Sequence, residues 1–322
     1  MDKRKVGSNI LLLITALIWG SAFVAQRVGM DYVGPFTFGA ARFVLATMTL
    51  IPVIHFMGKS KNIRNKKEYL TEEEEASQNK VLLKAGVICG VILFCGSMLQ
   101  QHGLLFTTAG KAGFITALYI VLIPIFSLVL KRIPGLKSWV GVAFGAVGLY
   151  LLSITESLTI APGDFIVLIG AGFWAAHLLV IDYYLPEISD PIRLSYIQFF
   201  TCAILCFIGA LIFENATLEG IKAGIIPILY AGVLSGGVGF TLQIIGQRYT
   251  SPIVASLILS LEAVFAAVFG YFILKEILTT REFVGCVLMF VAIIISQLPD
   301  KKIVEKDLEL KSTLGGKTDE NF

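Results

Sequence analysis

Ten long apolar segments, joined by short polar connections, constrain this chain more than any other feature of its sequence. Hydrophobic residues make up 56% of the chain and charged residues 15%, which is not the balance of a water-soluble domain. A helix needs roughly 20 apolar residues to cross the hydrocarbon core of a bilayer. Segments of about that length occupy residues 9–28, 36–57, 82–102, 107–130, 138–154, 163–183, 192–213, 223–244, 251–274 and 283–298. Because the period-two alternation of a membrane barrel is absent, we predict an all-α polytopic membrane protein with ten transmembrane helices.

One pattern of small and polar residues occurs twice in these segments. The first copy is Leu99-Gln100, Gly103, Thr107, Ala112 and Leu118-Tyr119, and the second, with the same spacing, is Leu242-Gln243, Gly246, Thr250, Ala255 and Leu261-Glu262. Each copy belongs to a set of five segments, and five is odd, so the second set enters the bilayer from the opposite side. We therefore predict two inverted five-helix repeats, over residues 9–154 and 162–298. Many transporters are built in this way, with the substrate site between the halves.

The basic residues indicate the orientation of the chain. If both termini are cytoplasmic, as ten crossings allow, 20 of the 26 lysines and arginines lie on the cytoplasmic side, 5 lie outside and 1 lies within a helix. Positive charge favours the cytoplasmic side. We therefore predict a multi-pass protein of the cytoplasmic membrane with both termini in the cytoplasm. The apolar run after Lys3-Arg4-Lys5 is long enough to span and lacks a good cleavage site, so it is interpreted as an uncleaved first helix.

Three polar stretches lie outside the predicted helices. Residues 1–8 form a short cytoplasmic N-terminus. Residues 58–81 form a cytoplasmic loop, partly helical, in which a basic stretch precedes four glutamates. This loop is either a solvated connection or a contact for anionic headgroups. Residues 299–322 lack apolar periodicity, and we expect a disordered cytoplasmic tail.

Glycines at four-residue spacing predict close contacts between helices, because small residues let backbones approach in lipid. The pairs are Gly86 and Gly90, Gly141 and Gly145, and Gly232 and Gly236. The middle pair could instead mark a face for a second copy of the chain. The dense cluster 235–239 in the eighth helix could loosen that helix for a rocking motion.

Two charged residues lie at bilayer depth, where a charge is costly. Glu262, near the middle of the ninth helix, must face a cavity, find a partner or stay protonated. It is either a proton carrier or cation contact, or a neutral acid bonded to a neighbouring helix. Arg42, in the second helix, either clamps a carboxylate or phosphate bidentately, or is structural, with an ion pair or a bond to helix-end carbonyls. Overlaying the two halves places Gln198 opposite Arg42, so the halves are not chemically equivalent.

Two tryptophans, Trp19 and Trp174, occupy matching mid-span positions in the first and sixth helices, away from the interfacial belts where Trp usually lies. They are either packing residues or walls of one shared cavity. His177, on the same helical face as Trp174, is either a proton relay or a neutral ring bonded to a carbonyl. Tyr119 matches Glu262 in the repeated pattern. We predict that a substrate pathway is lined by Trp19, Arg42, Tyr119, Trp174, His177 and Glu262.

Four glutamines complete the predicted pathway. Gln100 and Gln101 lie toward the outer end of the third helix, and Gln243 and Gln247 toward the inner end of the eighth. We expect them to line opposite mouths of one route.

Several motifs are missing from the sequence. There is no glycine-rich loop followed by Lys-Ser or Lys-Thr, no nucleophile elbow, and no metal-ligand spacing among the three histidines. The five cysteines all fall within predicted helices and are interpreted as packing residues. We therefore predict no ATP drive within this chain, no cofactor or metal, no enzymatic activity and no nucleic-acid partner.

Short motifs in the first, second, ninth and tenth helices resemble the EamA branch of the drug/metabolite transporter superfamily. They are Trp19-Gly20-Ser21-Ala22-Phe23, Ala41-Arg42-Phe43, Ser260-Leu261-Glu262-Ala263-Val264-Phe265, Lys275-Glu276 and Val284-Gly285. The chain departs from the branch where Ala263 replaces a frequent Pro and Lys131-Arg132 replaces a frequent Gly-Glu. The resemblance implies two five-helix repeats around a central cavity, with the fifth and tenth helices set aside from it. It also implies export or exchange of amino acids, related metabolites or drugs.

The leading hypothesis is a secondary transporter that exports or exchanges small metabolites such as amino acids by alternating access at a central cavity. Arg42 would take an anionic group, and the aromatic residues an apolar or cationic portion. Protons are a candidate coupling ion. Two alternatives stay open: a non-transporting scaffold or sensor that uses residues 58–81 as its partner surface, and a membrane-embedded enzyme acting on lipid.

Overall fold

The structure is a computed structural model that describes residues 3–64, 72–107, 109–153, 162–269 and 279–298. Every regular element in these residues is helical. The first half contains α1 (Lys3–Gly29), α2 (Pro35–Arg64), α3 (Glu72–Gly103), α4 (Ala109–Ala117), α5 (Tyr119–Val129) and α6 (Leu136–Ser153). The second half contains α7 (Pro162–Tyr184), α8 (Pro191–Phe213), α9 (Leu218–Ala223), α10 (Ile225–Leu229), a π-helical segment (Tyr230–Phe240), α11 (Thr241–Gln247), α12 (Pro252–Leu259), α13 (Glu262–Phe269) and α14 (Thr280–Gln297).

The described helices account for ten apolar spans. Seven helical stretches are long and apolar enough to cross a membrane. Three shorter apolar helices, within residues 136–151, 252–265 and 283–296, coincide with the fifth, ninth and tenth predicted spans. The protein is therefore an all-α polytopic membrane protein, as the sequence predicts.

The two halves pack on each other reciprocally. Gly103, at the end of α3, lies so close to α7 that a Cβ there would be 2.3 Å from the Val167 Cγ2. Its counterpart in the repeated pattern, Gly246, lies against α1, where a Cβ would be 2.8 Å from the Leu12 Cγ. The third span of each half therefore contacts the first span of the other half, as expected for inverted repeats.

The glycine pairs lie at helix contacts within this bundle. Gly86 and Gly90 face α8, and Gly232 and Gly236 face α2, where a Cβ on Gly232 would meet the Leu45 Cβ at 2.7 Å. This confirms the predicted close packing. Gly141 lies against Ala292 and Ser296 of α14, so this glycine serves a contact within the chain. The α6–α14 pair corresponds to the fifth and tenth spans.

The two ends of the bundle are distinguished by prolines that begin helices. At the Pro35 end, where α2 begins and α8 ends, both carboxylate oxygens of Glu214 accept hydrogen bonds, from the backbone N–H groups of Phe36 and Thr37 at 2.8 Å. At the opposite Pro191 end, where α8 begins, Asp190 caps the helix by accepting from the backbone N–H groups of Ile192 and Arg193. Each cap satisfies N–H groups that a helix start leaves free.

Several predicted segments differ in detail from the structure. Within 58–81, α2 continues to Arg64 and α3 begins at Glu72, so both flanks of the predicted loop are helical. Residues 65–71, the join 154–161, the Lys275-Glu276 motif and the tail 299–322 lie outside the described residues. The fourth span is interrupted at Leu118 and the ninth at Ser260-Leu261. The eighth span changes from α- to π-helical geometry over Tyr230–Phe240.

Candidate functional site

A cavity lies between the two halves, with about 550 Å³ of empty space when the part open at its mouth is counted. Its walls come from both repeats: α1, α2, α3, α4 and α5 on one side, and α7, the π-helical segment, α11 and α13 on the other. The lining residues are Trp19, Ala22, Phe23, Gln26, Arg42, Gln100, Thr116, Tyr119, Trp174, His177, Leu178, Ser235, Phe240, Gln243 and Glu262.

The structure brings all six predicted pathway residues into this one cavity, together with two of the four glutamines. Gln100 and Gln243 line it, whereas Gln101 and Gln247 do not. Gln101 is fully buried and donates to the backbone oxygen of Gln26 at 3.2 Å. Gln247 donates to the backbone oxygen of Leu178 at 3.2 Å. In this structure these two side chains therefore tie helices together behind the cavity wall.

The middle of the cavity is aromatic. The ring of Phe240 lies 4.7 Å from that of Trp19 and 5.8 Å from that of Trp174, centroid to centroid, and the Trp174 ring is stacked at 24°. His177 meets Phe240 edge-on at 6.2 Å. The two matched tryptophans thus contact the same phenyl ring from opposite halves, which gives the cavity an apolar waist with π faces.

Arg42 closes one side of this waist, toward the Pro35 end. Its side chain is 6% exposed and its Nη1 donates to Oε1 of Gln26 at 2.8 Å. The guanidinium lies over the ring of Phe43 at 4.6 Å. No carboxylate of the described residues pairs with it, and its Nε has no hydrogen-bond partner. A buried cation without a counter-ion is an unfilled position for an anionic group.

A glutamine network surrounds Arg42. Oε1 of Gln26 accepts from Arg42 and also from Nε2 of Gln100, at 3.3 Å. Oε1 of Gln100 in turn accepts from the indole Nε1 of Trp174 at 2.8 Å. The network links α1, α2 and α3 of the first half to α7 of the second.

The other side of the waist, toward the Pro191 end, is polar but neutral. His177 is 1% exposed, and its Nε2 contacts Oε1 of Gln198 at 2.9 Å. Gln198 is the residue that takes the place of Arg42 when the halves are overlaid. Nε2 of Gln243 donates to Oε1 of Gln247 at 3.0 Å. The partner of His177 is thus a side-chain amide, neither a backbone carbonyl nor a second titratable group.

Glu262 and Tyr119 lie at the two helix breaks. Each is the first residue after the interruption of its span, Tyr119 at the start of α5 and Glu262 at the start of α13. At both breaks the backbone switches to three-residue hydrogen bonds, as in Leu118 N–H to Ile115 O and Leu261 N–H to Ile258 O. The Tyr119 hydroxyl and the Glu262 carboxyl interact directly with each other across the two halves, and both are buried. Interrupted helices are typical of transporter binding sites, because they free polar groups at membrane depth.

The π-helical segment positions Phe240 and Ser235 at the cavity. Eleven consecutive π-helical residues are unusual, since π geometry generally appears as single-turn bulges, often at functional sites. Its backbone is contacted by α1: the Trp19 Nε1 donates to Ser235 O and the Thr15 hydroxyl to Gly239 O, both at 3.2 Å. The wider turn brings small residues against α1 and α2 and aims Phe240 at the waist.

Sequence reasoning missed several lining residues. Gln26 shares a helical face with Trp19, which was the available signal, but nothing in the sequence pairs it with Arg42. Phe240 and Thr116 have no distinguishing pattern in an apolar span, and Ser235 was visible only as part of a glycine cluster. Among the described residues, no group of three His, Cys, Asp or Glu side chains could hold a metal ion.

Comparisons with known proteins agree along nearly the whole chain. Residues 7–154 and 161–298 each match the EamA-like transporter family. An uncharacterized transporter of Archaeoglobus fulgidus is 32% identical over 296 residues, which cover 92% of this chain and 87% of that protein. The uncharacterized inner membrane transporter YedA of Escherichia coli is 22% identical over 292 residues, 87% of each chain. A solved crystal structure with 15% identity shares the fold, at a TM-score of 0.69 over 90% of this chain and 96% of its own.

Proposed function

This chain belongs to the EamA-like transporter family, within the drug/metabolite transporter superfamily, and from that membership we propose that it is a secondary transporter of small metabolites that carry a carboxylate. Amino acids are the first candidates, and export or exchange is the proposed direction. The proposed location is the cytoplasmic membrane with both termini inside, and the proposed repeats are residues 9–154 and 162–298.

The observation that carries the substrate proposal is the unpaired guanidinium of Arg42. A buried arginine that already had a carboxylate partner would be structural. The Arg42 guanidinium instead donates to the amide oxygen of Gln26 and lies over the ring of Phe43, and its Nε makes no hydrogen bond. A substrate carboxylate would supply the missing anion, and its bidentate geometry matches the guanidinium fork.

The remainder of the cavity suits the rest of an amino acid. The aromatic waist of Trp19, Trp174 and Phe240 can hold an apolar side chain or face a cationic group. Oε1 of Glu262, the carboxyl that interacts with Tyr119, could accept a hydrogen bond from an ammonium group. The cavity lining therefore offers Arg42 to a substrate anion and Glu262 to a hydrogen-bond donor of the substrate.

The proposed mechanism is alternating access around this cavity. The reciprocal contacts α3–α7 and α1–α11 join the halves, and rocking one half against the other would open the cavity to one side at a time. We propose that protons are the coupling ion and that Glu262 carries them.

The test is flux of candidate substrates in proteoliposomes, chosen by metabolite profiling of cells with and without the protein. In Arg42→Met we expect the KM for a carboxylate substrate to rise about 10- to 150-fold, since a hydrogen bond to a charged group contributes about 1.5–3 kcal/mol. The matched control is Arg27→Gln, because Arg27 is an exposed arginine paired with Asp31 at 2.9 Å. Equal KM values in wild type and Arg42→Met would remove Arg42 from substrate binding.

A further inference from the structure

A second cavity opens at the Pro191 end of the bundle, between α2, α3 and α8. It is an open groove with about 1020 Å³ of empty space, its open side included, and its walls include Ile51 and His55 of α2, Asn79 and Leu83 of α3, and Arg193 and Ile197 of α8. It shares no lining residue with the central cavity, so it is a separate site.

The three helices order their lining residues in the same direction. The polar residue lies nearer the end of the bundle on each helix: His55 on α2, Asn79 on α3 and Arg193 on α8. The apolar residues Ile51, Leu83 and Ile197 lie one turn deeper along the same helices. The groove is therefore polar at its rim and apolar at its floor, which fits an amphiphile whose head lies at the membrane surface.

The basic residues near the rim favour an amphiphile with a negatively charged headgroup. Arg193 is exposed, and its side chain has no ion pair among the described residues. Lys80 and Lys84 are also exposed and lie one residue from Asn79 and Leu83 on α3. Among the described residues no carboxylate lines the groove, and the exposed glutamates 73–75 lie nearer the start of α3, outside its lining. Basic pockets between transmembrane helices bind anionic lipid headgroups.

We infer that this groove binds an anionic phospholipid, with its phosphate at the Arg193 rim and its acyl chains along Ile51, Leu83 and Ile197. The ligand is a membrane component and not a transported substrate. The inference does not depend on what the central cavity carries.

Native mass spectrometry of the full-length chain tests this. The purified protein is mixed with phosphatidylglycerol or with phosphatidylcholine of the same acyl chains. We expect phosphatidylglycerol adducts to dominate, and Arg193→Gln to reduce them about fivefold, the factor for one cationic contact near an anionic surface. Arg132→Gln is the control, because Arg132 already pairs with Asp182 at 2.6 Å.

Three results would overturn the inference. The two lipids could bind equally, or Arg193→Gln could retain the full adduct. Inorganic phosphate could displace phosphatidylglycerol completely, which would assign the rim to a soluble anion. Because Arg193 is exposed, an unchanged elution profile of the variant separates loss of lipid from loss of fold.

A second inference comes from a mismatch between the halves, and it rests on the proposed alternating access. Gln100 and Gln243 hold the same place in the repeated pattern, and Trp19 and Trp174 match across the halves. Oε1 of Gln100 accepts from the indole of Trp174. Oε1 of Gln243 is buried without a partner, while the indole of Trp19 donates to Ser235 O. All four side chains line the central cavity.

We propose that the two indoles exchange partners between the two access states. In this structure the Trp174–Gln100 bond ties α7 to α3 at the Pro35 end. In the opposite state Trp19 leaves Ser235 and donates to Oε1 of Gln243, while Trp174 releases Gln100. Each state therefore has one satisfied Trp–Gln pair, and inverted symmetry converts one into the other.

Opposite mutational shifts test this exchange. Spin labels at the exposed sites Leu105 and Leu218 report the Pro35 end through their distance distribution in lipid nanodiscs. We expect Gln100→Met to increase the population of the long-distance state about fivefold and Gln243→Met to decrease it about fivefold, the factor for one net hydrogen bond.

Shifts in the same direction, or none in either variant, would overturn the exchange. Trp174→Phe keeps an aromatic ring at this position and removes the N–H donor together with part of the indole, so it should shift the populations in the same direction as Gln100→Met. The distances are measured without substrate. Failure of the exchange is therefore distinct from failure of transport, which the flux assay reports separately.

Discussion

At the scale of single residues, unsatisfied polar atoms concentrate at the central cavity. Arg42 Nε, His177 Nδ1, Oε1 of Gln243 and Oε1 of Glu262 are all buried and make no hydrogen bond to another protein group. Each such atom costs about 1–3 kcal/mol of desolvation, so a fold that tolerates several in one place gains something there by binding. A substrate that supplies both an anion and donors would satisfy several of them together.

The sequence locates most of these residues but not their partners. Depth along a helix makes Arg42 and Glu262 conspicuous, and the repeat makes Trp19 and Trp174 a pair. Which atom satisfies which is decided by contacts between distant helices, as with Gln26 and Arg42, or His177 and Gln198. Periodicity within one helix carries no information about those contacts. The sequence therefore could not predict that Gln101 and Gln247 bond to backbone oxygens behind the wall of the central cavity.

Glu262 is the proposed coupling carboxyl, and Glu262→Gln tests that role. We expect the variant to insert normally, because the Gln amide has the size of the carboxyl and its oxygen can still accept a hydrogen bond from the Tyr119 hydroxyl. Flux driven by a pH gradient should be abolished in proteoliposomes, since an amide cannot carry a proton. Glu219→Gln, in the exposed start of α9, is the matched control and should keep full gradient dependence. If Glu262→Gln retains it as well, the carboxyl is structural.

At the scale of elements, the fourth, eighth and ninth spans are irregular where the cavity lies. The breaks at Leu118 and Ser260 contain neither Pro nor Gly, so no local signal in the sequence marks them. The glycine cluster in the eighth span suggested a helix loosened for a rocking motion, and the structure has a π-helical segment there, which the sequence did not predict. Irregular backbone at membrane depth persists where it is buried in protein or lines a cavity. Tertiary packing, more than propensity, therefore shapes these three spans.

The α3–α7 seam depends on the absence of a side chain at Gly103. A Cβ there would lie 2.3 Å from the Val167 Cγ2 and 3.0 Å from the Gly163 backbone oxygen, so Gly103→Ala should push the helices apart. We expect a loss of about 1–3 kcal/mol of stability, typical of overpacking, seen as a lower unfolding temperature in detergent. Gly172→Ala is the control, because nothing lies within 4 Å of a Cβ at Gly172 on α7. A stability loss at Gly172 equal to that at Gly103 would attribute the effect to the loss of glycine itself and not to the seam.

At the scale of the whole molecule, the halves share a scaffold but differ in charge. Gly103 and Gly246 make equivalent contacts in the two repeats. The repeat position of Arg42 is occupied by the neutral Gln198 in the other half, and that of Glu262 by the neutral Tyr119. The scaffold was predictable because repeated spacing and an odd helix count are properties of the sequence itself. The chemistry of the site breaks the symmetry: among the described lining residues, Arg42 lies in the first half and Glu262 in the second. An asymmetric substrate would meet a different polar group on each side of the aromatic waist.

Inversion of the halves makes a prediction about the first connection of each repeat, which should lie on opposite sides of the membrane. Tyr32, between α1 and α2, and Glu187, between α7 and α8, are exposed and occupy those connections. With cytoplasmic termini, a membrane-impermeant maleimide on intact cells should label Tyr32→Cys, and label Glu187→Cys only after permeabilisation. Ile133→Cys, in the exposed connection between α5 and α6, should behave like Glu187→Cys.

The native Cys89, Cys202 and Cys206 are buried, and replacing Cys95 and Cys286 by Ala removes the remaining background. Labelling of Tyr32→Cys and Glu187→Cys from the same side would contradict the inversion. Labelling of Glu187→Cys alone in intact cells would reverse the proposed orientation in the membrane but would still support the inversion of the two halves.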